Sequence, residues 1–98
     1  MPITSVTRWK MDRNQGAKLA AEAVPLLKRL GATSVRVGYC FAGQYIGQTM
    51  VVVNYSDWEA YGKSQAAQAQ DSAYQTLFSK VLGEGELLDR SLIVMTDL

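Results

Sequence analysis

The spacing of apolar positions changes along the chain, and each change marks an element. Residues 3–9, ITSVTRW, alternate loosely and are rich in β-branched side chains, which predicts a strand. The polar run MDRNQG follows as a connection. Over residues 15–30 the period becomes helical: Ala20, Val24, Leu27 and Leu30 recur at helical spacing, with Ala23 and Leu26 alongside. Lys28 and Arg29 fall in the last turn, where cations suit the carbonyl end, and Gly31 can take the left-handed position beyond it. Pro25 interrupts the pattern at a cost of roughly 3 kcal/mol and bends the axis. A fresh start at Pro25 would make Val24 the N-cap, a poor one, so a single kinked helix is expected.

Residues 33–41, TSVRVGYCF, alternate cleanly. Val35, Val37, Tyr39 and Phe41 share one face; Arg36, Gly38 and Cys40 share the other. AGQYIG supplies a glycine-bounded turn, and residues 46–55 return as the second strand of a hairpin. A helical region covers 57–82, with Ala66, Ala69, Ala73, Leu77 and Val81 as its apolar stripe. Asp71-Ser72 can break it, with Asp71 capping a second segment. GEGE (83–86) reads as a turn, and LLDRSLIVMTDL closes the chain as a last strand.

The order βαββαβ is the ferredoxin-like arrangement: an α+β fold with a four-stranded antiparallel sheet and two helices on one face, here as one domain over residues 1–98. A helix of residues 15–30 spans about 24 Å and a strand of residues 33–41 about 30 Å, lengths that suit one helix layer on one sheet. The third strand sets Val51, Val53 and Tyr55 on one face and Met50 and Val52 on the other. The last strand sets Leu92 and Val94 against Ile93 and Met95. A sheet with one face in water alternates apolar with polar, so something covers the second face. The cheapest cover is another copy of the chain, which predicts a homodimer packing sheet face against sheet face.

Composition narrows the chemistry. Hydrophobic residues make up 48% of the chain, enough for one modest core. The net charge of +1 argues against nucleic acid as a partner. One cysteine, Cys40, allows no intrachain disulfide and no multi-cysteine zinc site. The absence of histidine removes the commonest general base, zinc ligand and proximal haem ligand together, so no metal and no cofactor is expected. No segment reads as a signal peptide or membrane span, which makes a cytoplasmic location the expectation and Asn54-Tyr55-Ser56 a chance sequon. Gly83-Glu84-Gly85 precedes a strand and is no phosphate loop.

The whole-chain topology, the glycine-turn hairpin and a W-x-x-Y sequence (Trp58 to Tyr61) opening the helix after the third strand resemble the dimeric α/β-barrel superfamily. That group includes the antibiotic-biosynthesis-type monooxygenases and the NIPSNAP and EthD-like families. The spacing Asn54-x-x-x-Trp58 is similar to the asparagine and tryptophan that line the pocket in some of those monooxygenases. The resemblance implies a homodimeric barrel that binds an aromatic or largely apolar small molecule and oxygenates it without a cofactor. Asn54 and the Trp58 N–H would be donors to an oxyanion, favouring a substrate anion able to pass an electron to O₂. Several relatives depend on a histidine, so haem-degrading and histidine-dependent roles are disfavoured here.

The same residues also have a purely structural reading. Ser56-x-x-Glu59 is a capping box, with Tyr55 and Ala60 as its staple, and Trp58 can pack its ring under the helix. Arg36, on the less hydrophobic strand face, needs an anion if buried and is a candidate anion partner for the substrate; otherwise its head is solvated. Cys40 shares that face as a small hydrophobe or a pocket wall. Tyr45, Met50 and Val52 are further candidates for the wall, while Tyr39 belongs with the core. The alternative function is a non-catalytic small-molecule-binding or dimerisation module.

Overall fold

A computed structural model of the chain describes residues 1–96 and 98. The elements run β1 (Ile3–Lys10), α1 (Arg13–Arg29), β2 (Ser34–Tyr39), β3 (Thr49–Tyr55), α2 (Trp58–Gln70), α3 (Ser72–Glu84) and β4 (Glu86–Val94). The four strands form one antiparallel sheet in the order β2-β3-β1-β4. This is the expected ferredoxin-like arrangement, with its second helix divided in two.

The first helix runs unbroken through Pro25 and begins earlier than its apolar period suggested. Asp12 is the N-cap, its carboxylate accepting from the Gln15 amide at 3.1 Å, so part of the expected polar connection is helix. At the other end Gly31 has φ +110°. Its amide donates to the Lys28 carbonyl at 3.2 Å, and the Ala32 amide donates to Leu27 at 3.0 Å. That reciprocal pair is a Schellman ending, which the glycine makes cheap.

Asp71 ends α2 and starts α3, as expected; its carboxylate accepts from the Tyr74 amide at 2.8 Å. The capping box does not form. The N-cap of α2 is Asp57, which accepts from the Ala60 amide at 2.7 Å, while Glu59 pairs with Lys63 at 3.1 Å. A carboxylate one residue closer to the helix displaces the serine. The alanine stripe is also corrected: Ala66, Ala69 and Ala73 are exposed, and Ser64 and Gln68 are the buried face of α2. Alanine carries little apolar area, and the buried polar pair satisfies itself, Gln68 Nε2 donating to Ser64 Oγ at 3.1 Å and to the Tyr55 hydroxyl at 3.3 Å. The expected GEGE turn shrinks to Gly85, because α3 reaches Glu84 and β4 begins at Glu86.

The helices cover one face of the sheet. Ile3, Leu27, Ala32, Val53 and Tyr55 form the buried core at one end of it. Tyr39, expected in the core, is 40% exposed, and Phe41 lies beyond β2 at 84%. An edge strand has cover on one side only, and over Tyr39 that cover is the Arg13 guanidinium of α1, 4.9 Å from the ring centre.

Candidate small-molecule site

The register fixes what each strand shows the helices. On β1 the helix-facing side chains are Ile3, Ser5, Thr7 and Trp9: large at the ends, small in the middle. Above them α1 presents Gly16, Ala20 and Ala23, again small. Small over small leaves a cavity of about 100 Å³ between sheet and helices. Its roof is α3, whose Tyr74, Leu77, Phe78 and Val81 follow a helical stripe yet are all only half-buried, with no fully buried residue anywhere in that helix. Trp9 meets Phe78 edge-on at 6.3 Å, and Tyr74 stacks on Phe78 at 6.0 Å.

The polar groups in this cavity are few. Trp9 Nε1 donates to the Thr7 hydroxyl at 2.8 Å. Tyr55 is held by Gln68 as described. Thr49 is 2% exposed, and its hydroxyl has no hydrogen-bond partner among the described residues. The first turn of α1 lies close to it: a Cβ on Gly16 would stand 3.1 Å from Thr49 Cγ2 and 3.3 Å from its oxygen, so glycine permits the approach. Burial pushes the Tyr74 phenol above its ordinary pKa; nearby Tyr55 adds to that, and Arg90 works against it. Tyr74 therefore stays protonated at neutral pH, a hydrogen-bond donor in an apolar wall. Arg90 is the single charged side chain among the described residues that line the cavity. No cluster of three metal-ligating side chains occurs among the described residues.

The residues singled out from sequence lie elsewhere. Arg36, Met50, Val52 and Asn54 share the sheet face turned away from the helices, with Arg36 opposite Val52 and Ser34 opposite Asn54. Asn54 is engaged within the sheet: its oxygen accepts from the Thr4 hydroxyl at 2.6 Å and its amide donates to Ser34 at 2.8 Å. Cys40 opens the β2–β3 loop, its thiol donating to the Ala42 carbonyl at 3.3 Å. Tyr45, in the same loop, lies under Arg8, whose guanidinium sits 4.1 Å from the ring centre and pairs with Asp89. Trp58 opens α2 at the other end of β3, 53% exposed and edge-on to Tyr61 at 6.1 Å. The hairpin thus brings Arg36, Val52 and Asn54 together, and none of the seven borders the cavity. The lining residues that sequence reasoning passed over, Ser5, Thr7, Thr49, Tyr74 and Arg90, carried one readable signal. The inward positions of β1 are polar in mid-strand, which a filled core would not tolerate.

The β-α-β-β-α-α-β order, with its helices on one face of a four-stranded antiparallel sheet, defines the fold class, and known structures share that fold. The chain superposes on SnoaB, a cofactor-independent oxygenase from Streptomyces nogalater, with a TM-score of 0.75 at 10% identity, covering 99% of this chain and 95% of that one. A NIPSNAP family protein from Agrobacterium tumefaciens gives 0.70 at 12% identity, covering 99% and 95%. Rv0793 from Mycobacterium tuberculosis gives 0.70 at 12%, covering 100% and 98%. The expected likeness to the monooxygenase-type and NIPSNAP proteins therefore holds at the level of fold. By sequence the chain belongs to the family described as a domain of unknown function, DUF6854, whose profile matches residues 1–84. Comparison with curated proteins finds no match.

Proposed function

We propose that this protein binds an aromatic, largely apolar small molecule in the cavity beneath α3 and oxygenates it without a cofactor, as a homodimer. The observation that carries the reading is the cavity itself: apolar walls, a floor of hydroxyls, and two donors, Tyr74 and Arg90, at groups that would stabilise an anion. A phenol bound there as its anion passes an electron to O₂. The radicals combine at a ring carbon that bears hydrogen, and loss of water from the resulting hydroperoxide leaves a quinone. The substrate supplies the electrons, one oxygen atom stays in the product and the other departs in water. The likeness in fold to a cofactor-independent oxygenase supports this reading. Arg36 and Asn54, on the outer sheet face, would then act where two sheets meet.

The homodimer is supported by the outer sheet face. It carries Ile93 at 44% and Met95 at 46% exposure along the β4 edge and half-buried Met50 and Val52 on β3, and the helices cover only the other face. The accessible surface of 6029 Å² also exceeds the value of about 5,500 Å² usual for a folded monomer of this mass. Native mass spectrometry should find twice the 10.8 kDa chain mass; a clean monomer would remove the dimer.

A specific observation favours a second reading, a non-catalytic binder: among the described residues no carboxylate or histidine lines the cavity to take the substrate proton. Oxygen uptake with a panel of phenols and quinols separates the two. Turnover that falls in Tyr74→Phe and Arg90→Gln supports catalysis in the cavity. Saturable binding with no oxygen consumption supports the binder.

A further inference from the structure

The charge of the occupant can be read from the charge of the cavity, given the small-molecule reading above, on which this rests. Strand alternation sends neighbouring residues of β4 to opposite faces. Asp89 points outward and is taken by Arg8, with Ser91 also donating to it. Arg90 points inward, opposite Thr7 in the register. Arg90, like Lys10, Arg13, Lys18, Lys28 and Arg36, has no carboxylate within 4.0 Å among the described residues, and of these six it is the one that lines the cavity. It lies at the exposed rim of a cavity lined otherwise by neutral side chains. At the far end the buried Thr49 hydroxyl lacks a protein partner. Arg90, Thr7 and Val51 form one row across the sheet, and Thr49 is two residues along β3. The backbone separation of Arg90 and Thr49 is therefore about 12 Å.

We propose that the cavity takes an aromatic carboxylate: its carboxylate pairs with the Arg90 guanidinium at the rim, and its apolar body lies under α3 with the far end at Thr49. The planar fork of arginine pairs with a carboxylate through two parallel hydrogen bonds, which a neutral head cannot reproduce. Tyr74 is left to donate to the phenolate oxygen of the oxygenase reading. A neutral ligand would cover a guanidinium and leave it without an anion. A polyphosphate would bring several charges to one cation and no glycine-rich cradle. A cationic ligand would find no carboxylate.

Two probes with the same ring and heavy atom test the assignment: 4-iodobenzoate and 4-iodobenzyl alcohol. The chain has two tryptophans, and Trp58→Phe leaves Trp9, a cavity residue 5% exposed, as the sole reporter of iodine quenching. Both probes should quench Trp9 saturably, the benzoate binding about tenfold more tightly, as one charge-assisted pair implies. Arg90→Gln should erase that preference and leave the alcohol's affinity unchanged, which also shows that the variant folds. Equal affinity for the two probes, or a benzoate preference that survives Arg90→Gln, overturns the anion assignment while the cavity reading stands. Failure of both probes to quench saturably overturns the cavity reading and this inference with it, whereas quenching by the alcohol alone overturns the anion assignment.

Discussion

Replacing Thr49 by valine should make the protein more stable. The side chain is 2% exposed, and its hydroxyl finds no partner among the described residues. A buried hydroxyl left unpaired costs about 1–3 kcal/mol, and valine has nearly the same shape without that group. The new methyl takes the oxygen's place beside Gly16, which carries no Cβ to meet it. A net stabilisation of about 1 kcal/mol is expected. In a domain of this size it raises the midpoint of thermal unfolding by about 4–8 °C. Urea unfolding followed by far-UV circular dichroism measures it, with the midpoint rising and the slope unchanged. If the hydroxyl serves the occupant, the same variant should bind 4-iodobenzoate more weakly, so that stability and affinity move in opposite directions. A variant less stable than wild type would refute the reasoning, because it would mean that the hydroxyl is already hydrogen-bonded, through water held in the cavity.

Gly85→Ala should destabilise the chain by about 1–3 kcal/mol in urea; the added Cβ would lie 2.6 Å from Met11 Cε, 3.0 Å from Met11 Cβ and 3.1 Å from the Lys10 carbonyl, and only the first of these can swing away. Asp71 is held below its ordinary pKa of 3.8, first by its hydrogen bond with Arg29 and then by the Tyr74 amide. Its contribution to stability is therefore complete above the unfolded value and is lost as pH falls below 3.8 through the lower folded one; Asp71→Asn should be the less stable protein at neutral pH, and the gap should close in acid urea titrations. Asn54→Ala should cost about 2 kcal/mol by the same measurement, since it leaves the Thr4 hydroxyl, in a residue 7% exposed, without its acceptor.

The sheet was legible because its chemistry is periodic. Val51, Val53 and Tyr55 against Met50, Val52 and Asn54 fix which side chains share a face, and the register keeps that division. Pro25 was legible as a passenger in one helix because Val24 is so poor a cap. The ends of helices were harder, since Asp57 and Ser56 compete for one role and only geometry decides between them. The cavity escaped because small residues make it, and its one sign, the polar mid-strand of β1, shows only once the inward face is known. Ser5 and Thr7 read as ordinary strand residues, and Ala20 and Ala23 as ordinary helix residues, until the fold sets one pair over the other. The face carrying Asn54 and Arg36 drew attention through its unusual residues, although the emptier space lies on the face whose residues look plain.

A helix with no fully buried residue has little to hold it down, and α3 is such a helix. Amide exchange with solvent follows the free energy of the cheapest local opening. The amides of α3 should therefore exchange sooner than those of β1 and β3, without unfolding of the whole chain. An occupant wedged between Arg90 and the underside of α3 would slow that exchange by the factor its concentration over its dissociation constant dictates. Protection confined to residues 72–84 would then report both the doorway and its guest.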